Sequence, residues 1–227
     1  MSHNPSMSKD TALPKDTSDE AEEQFDFTHI IYIAPHFSAD SSIKIYDLTG
    51  LVTEKYPSEA FNARTEQLGQ QKLVDTPTWV IHDPRFWKQT TLHPGSISTP
   101  KGHEDTVIAS WTPSRWVHGK NHIDFPAGSK HCGHSIVMER HQFMISRAEG
   151  FVQNSVQYFW RHDKYSRRRL TLWKVIMGEE RVAAKYKAPY RFPRTGGTLA
   201  VDTREIDLVV AFMTCIAMLR KVRRNEA

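Results

Sequence analysis

The segment LVVAFMTCIAML, residues 208–219, constrains this chain more than any other stretch. Within it only Thr214 and Cys215 are even mildly polar, so no side of the helical wheel is hydrophilic. A helix that is apolar all round must be enclosed on every side, by lipid or by protein. Length decides between them. Such a run spans about 18 Å at about 1.5 Å per residue, against a bilayer hydrocarbon core of about 30 Å. Extending it to Ile206 brings Asp207 into hydrocarbon, at about 2.5–3.5 kcal/mol near the bilayer centre. Protein is the better enclosure. Asp202 followed by Glu205 reads as a capping box, which predicts a helix over 203–222. Arg220, Lys221, Arg223 and Arg224 then fall at the negative pole of the helix dipole and meet water as the helix leaves its enclosure.

The rest of the chain supplies that enclosure as strands. FTHIIYIA (27–34), SIKIYDLTG (42–50), PTWVIHDP (77–84), TVIASWTP (106–113), HIDF (122–125) and SIVMERHQFMI (135–145) are short and rich in β-branched or aromatic residues. VQYFWRH (156–162), RRLTLWKVI (168–176), RVAAKYK (181–187) and GGTLAV (196–201) continue the series, with polar turns of hairpin length at HDKYS and MGEE. LVTEKY (51–56) reads as the returning arm of a hairpin with the strand before it. Residues 57–73 fit either a short helix or a long loop, while 92–105 and 113–121 read as exposed Pro/Gly/Ser-rich loops. The expected fold is mainly β, a closed antiparallel barrel of about ten to twelve strands with the hydrophobic C-terminal helix through its centre. The barrel domain runs over 26–227 and the central helix over 203–222, preceded by an arm, 1–25, too polar to offset the entropy of ordering.

Charge divides unevenly along the chain. Residues 1–26 carry two Lys and seven Asp/Glu, a net −5, whereas 142–227 carry seventeen Lys/Arg and eight Asp/Glu, a net +9. A basic third of this kind attracts phosphate-bearing partners, and it equally suits the chain's own acidic arm. Two cysteines, Cys132 and Cys215, make no disulfide framework, which favours a reducing, intracellular and cytoplasmic setting. The N-terminal residues lack the apolar stretch of a secretion signal.

The ending LAVDTREIDLVVAFMTCIAMLRK resembles that of the tubby C-terminal-like superfamily: a strand, a short turn with an acidic residue, then an all-apolar helix. That architecture is shared by tubby proteins, LURP-one-related proteins and phospholipid scramblases. TVIASWTP and GFVQNSVQYFWRHDKYSRRRLTLW are similar to stretches of a fungal family of unknown function in the same superfamily, and the resemblance covers roughly residues 27–224. It implies a barrel around a central helix, and phosphoinositide head groups as a ligand class. It fixes no function by itself, since fold and function are separable.

Candidate chemistry is sparse. KYSRRR (164–169) gathers Lys164, Arg167, Arg168 and Arg169 near a hairpin tip, where guanidinium forks suit bidentate phosphate binding; a charged, solvated turn has the same composition. HCGH (131–134), with His122 and His141, offers imidazole and thiolate donors but matches no common zinc spacing, so no metal or other cofactor is expected. GHED (102–105) sits in a loop, and Cys132 beside His131 and His134 lacks a nucleophile's geometry if the segment is extended. No nucleophile elbow, phosphate loop, dinucleotide fingerprint or HExxH occurs, and no catalytic residue is assigned. Tyr158, Trp160, Leu170 and Leu172 alternate as core residues do, which favours packing over base stacking and against nucleic acid as partner. Leu208, Val209, Phe212, Met213, Ile216 and Leu219 are the expected core-facing side chains of the helix. The expected function is a non-enzymatic binding or scaffold module whose basic surface meets anionic phospholipid head groups at the membrane periphery. A tail-anchored membrane protein is the alternative, with a nucleic-acid binder or an enzyme ranked after it.

Overall fold

The structure is a computed structural model that describes residues 25–35, 42–82, 89–96, 106–112, 119–140, 148–163, 166–189 and 196–226, with the side chains of Arg167 and 221–226 left aside. Twelve strands close into one barrel: β1 (His29–Ile33), β2 (Ser42–Asp47), β3 (Trp79–His82), β4 (Thr90–Pro94), β5 (Ala109–Thr112), β6 (Asn121–Asp124), β7 (Ile136–Arg140), β8 (Glu149–Gln153), β9 (Val156–Asp163), β10 (Ser166–Ile176), β11 (Glu179–Lys187) and β12 (Gly197–Val201). Each pairs antiparallel with its neighbours in sequence, and β12 closes on β1 with Val201 opposite His29. Closure leaves none of the described strands with an exposed sheet edge. Among the described residues two helices complete the fold, α1 (Glu59–Lys72) between β2 and β3, and α2 (Leu208–Glu226) after β12.

The lumen is filled by α2. All residues from 209 to 218 are at most 3% exposed, and they share one core with inward side chains of every strand, from Ile31 and Ile45 to Leu172, Tyr186 and Leu199. Contacts are ordered along the helix. Phe212 packs on Trp79 at 5.2 Å between ring centroids, Thr214 takes the Trp160 indole N–H, and the Arg220 guanidinium lies 5.0 Å above the Trp111 ring. The central helix is therefore as expected, and Val209, Phe212, Met213 and Ile216 are buried, with Leu208 and Leu219 half-buried at the two ends.

Its start differs from the capping box. Asp207, not Asp202, is the cap: its Oδ1 accepts the N–H of Val209 at 2.8 Å and of Val210 at 3.1 Å. The chain first has to turn from the wall into the lumen. Residues 202–206 make that turn, with the Glu205 and Ile206 N–H groups donating to the Asp202 carbonyl. The Asp202 carboxylate holds Arg204 at 2.7 Å, and Glu205, instead of reaching back, takes the Lys174 ammonium at 2.9 Å.

Elsewhere some expectations change and one open choice is resolved. LVTEKY is not a strand; Leu48 to Leu51 form a turn around Gly50, whose φ of +79° suits glycine, and Val52 and Tyr56 pack beneath α1. The open segment 57–73 is α1, capped by the Ser58 hydroxyl accepting the Phe61 N–H at 3.0 Å. Part of the loop read at 92–105 is β4, and 149–153, unassigned in the sequence, is β8. The rest of that loop from 97 on, residues 113–118, the N-terminal arm up to 24 and His141 lie outside the described residues.

Outside the barrel α1 covers β1 and β2 through Phe61 and Leu68, which join Ile30, Tyr32, Tyr46 and Leu48 in a second, smaller core. Because β1 is buried on both faces, its sequence is a continuous apolar run instead of an alternation. Gly69 makes the close approach possible, since a Cβ there would lie 2.4 Å from the Tyr32 ring.

Candidate functional site

The basic cluster lies at the start of β10. Lys164 and the Arg167 side chain are outside the described residues, while Arg168 and Arg169 are exposed. Arg169 faces outward and reaches the Asp163 carboxylate at 3.6 Å. Directly across on β11 stands Lys187, with Lys185 opposite Thr171. Partial burial, then the Arg169 guanidinium, pushes the Lys187 ammonium below its ordinary pKa, and Glu66 and Glu59 of α1 pull the other way. Two cations therefore sit side by side on the outer wall, with acids of α1 along one flank.

A bulge creates this juxtaposition. From the tip at Met177 and Gly178, both in the left-handed region as a two-residue hairpin turn requires, the ladder pairs Ile176 with Glu179 and Trp173 with Val182. The register then shifts by one between Leu172 and Trp173, so that Leu172 pairs with Ala184 and Arg169 with Lys187. Without the shift Lys185 would pair with inward Leu170 and face the lumen. With it, both lysines stay on the outer wall.

Lys185 is nevertheless buried, because aromatic rings roof it. Its ammonium lies 5.7 Å from the Phe25 and the Tyr56 ring centroids. Phe25 and Tyr56 meet edge to face at 5.5 Å, and Tyr56 continues onto Phe61 at 5.1 Å. On the other side Arg161 lies over Phe159 at 4.5 Å and pairs with Glu180 at 3.0 Å. Sequence reading found Arg168 and Arg169 and missed Lys185 and Lys187. The K-x-K alternation of β11 was visible, but its partner row depended on the bulge.

The HCGH segment does something else. His131 Nδ1 lies 3.1 Å from Asp207 Oδ2, so the same carboxylate caps α2 and holds this segment against the barrel mouth. The buried Cys132 thiol donates to the His134 carbonyl at 3.2 Å, and His122 and His134 are exposed. Among the described residues no group of three or more His, Cys, Asp or Glu side chains is gathered to hold a metal ion. Cys215 is enclosed in the lumen, where burial pushes its thiol pKa well up. GHED lies outside the described residues.

Tyr158, Trp160, Leu170 and Leu172 are all buried in the lumen, as their alternation implied. Among the described residues no helix is long and apolar enough to cross a membrane. No family model, no curated protein and no solved structure matches this chain.

Proposed function

We propose that this chain is a non-enzymatic binding module that takes phosphate-bearing lipid head groups on the outer wall formed by β10 and β11. The observation that carries this reading is the pairing of Arg169 with Lys187. Like charges side by side repel, and a phosphate between them removes that repulsion while accepting hydrogen bonds from both. Arg168, the preceding residue of β10, alternates to the opposite face of the strand and stands apart from this pair. The resemblance to the tubby C-terminal-like superfamily supports the same ligand class.

Vesicle sedimentation tests it. Wild-type protein is expected to pellet with vesicles of phosphatidylcholine containing a phosphatidylinositol phosphate and to stay in solution with phosphatidylcholine alone. Each surface cation near an anionic membrane contributes about 1 kcal/mol, so the double variant Arg169→Glu/Lys187→Glu should bind at least about tenfold more weakly. Equal binding by the variant, with an unchanged melting temperature, removes the proposal.

A further inference from the structure

The outer wall changes character at the bulge between β10 and β11. On one side of it the outward residues of the two strands are Arg169, Thr171, Lys185 and Lys187; on the other they are Trp173, Val175 and Val182, with Glu180 last. The ladder carries the apolar half onto β9 and β8. Trp173 stands beside Phe159, Val175 beside Gln157, and Gln157 beside Val152. None of Phe159, Trp173, Val175 and Val182 joins either core, and α1 packs elsewhere on the wall, over β1 and β2. The solvated face of an antiparallel sheet ordinarily alternates to polar residues, so this half is an exception. Val152 is 55% exposed, and Met177 at the adjoining hairpin tip is fully exposed.

Charge decides what fits there. One ion pair crosses the apolar face: Arg161 lies 4.5 Å over Phe159 and 5.6 Å over Trp173, and reaches Glu180 at 3.0 Å. A second borders it, Lys120 with Glu139 at 2.7 Å, Glu139 standing opposite Gly150. Two cations and two anions make the face neutral on a chain of net +4. A nucleic acid or an anionic membrane would press its phosphates against Glu139 and Glu180. A face that carries both signs is instead complementary to itself, since a two-fold axis brings the cations of one copy to the anions of the other. Trp, Phe, Met and Arg are also the residues enriched at the centres of protein interfaces.

We propose that this face binds a second copy of the chain in a reversible, isologous dimer, with Val152, Trp173 and Met177 in the contact. The contact lies across the bulge from Arg169 and Lys187, so it does not rest on the lipid reading. A patch confined to four strands is at the small end of specific interfaces, and the dissociation constant should be about 10–100 μM.

Sedimentation velocity on the full-length chain tests it. Wild type should shift from monomer towards dimer as its concentration rises from about 1 to about 200 μM. Val152→Glu/Met177→Glu should weaken association at least about tenfold with an unchanged melting temperature, because both side chains are exposed in the monomer. Met177→Glu alone, at the fully exposed tip, gives the same reading at smaller size should the double variant melt early. Lys187→Glu, on the cationic side of the bulge, should dimerise as wild type does. A wild type that stays monomeric overturns the proposal, and if the double variant then loses binding to phosphatidylcholine vesicles, the face belongs to a membrane. A dimer that persists unchanged in the Glu variants overturns it too, because its contact lies on another surface.

Discussion

Helices α1 and α2 sit on opposite sides of the same wall. α2 buries ten consecutive residues, 209–218, and has no solvent face over that length. α1 buries Phe61, Thr65, Leu68 and Gly69 along one side and leaves the rest to water. A surface helix needs one apolar stripe, whereas a helix inside a barrel needs apolar side chains all round. The difference extends to polar atoms. In α2 the one hydroxyl, Thr214, is fully satisfied: it donates back to the Val210 carbonyl at 2.8 Å and accepts from Trp160 at 3.0 Å. In α1 buried Thr65 likewise donates back, to the Asn62 carbonyl at 3.0 Å, whereas water reaches the other polar side chains.

The largest effect should come from a charge inside. Ala211→Arg or Ala217→Arg puts an unpaired cation where both residues are 0% exposed. The cost of about 3–5 kcal/mol or more is a large share of the stability of a domain, typically about 5–15 kcal/mol. Either variant should lose its cooperative melt, while Ala63→Arg on the exposed side of α1 should melt as wild type. Next comes Thr214→Val, which keeps shape but leaves the Trp160 N–H buried without an acceptor. A loss of about 1–3 kcal/mol is expected in urea titration, and much of it should return when Trp160→Phe is added. Gly69→Ala tests the outer helix. Its Cβ would meet the Tyr32 ring at 2.4 Å, so α1 must shift, at about 1–3 kcal/mol, without loosening the barrel.

Alkaline pH distinguishes the two cores more gently. Burial, with Glu205 nearby, pushes the Tyr158 phenol up to about 12, and burial with Glu66 does the same for Tyr32; Tyr186, deepest in the lumen, is raised further. In the unfolded chain these phenols ionise near about 10. Below that value both states keep the proton and stability is independent of these groups. Above it the unfolded state loses protons first, so the urea midpoint should fall from pH about 10 towards 12. Tyr158→Phe should flatten part of that decline. The smallest effect is chemical: Cys215, fully enclosed, should react with a thiol reagent only at the rate of unfolding.

What the sequence made legible follows from the same physics. The central helix was readable because an all-round apolar run too short for a bilayer has one remaining explanation. Strands such as β10, with Leu170 and Leu172 alternating against outward residues, were readable from period two. β8 escaped because Glu149 and Gly150 fill two of its five positions, and β4 because its alternation of Thr90 and Leu92 ends in His93 and Pro94. The cap moved from Asp202 to Asp207 because the turn into the lumen is a tertiary demand that local spacing does not record. At the candidate site, local sequence revealed Arg168 and Arg169. Lys187 became the partner of Arg169 only through a one-residue bulge just beyond the Leu172–Ala184 pair.

The enclosure of α2 is the claim on which the rest depends, and native-state hydrogen exchange tests it most directly. Amides of residues 212–218 should exchange only through global unfolding, with the same free energy as the slowest strand amides, while those of α1 exchange through smaller openings and faster. If the α2 amides exchanged as fast as those of α1 while the strands stayed protected, the helix would be leaving an intact barrel, and the account of this fold would be wrong.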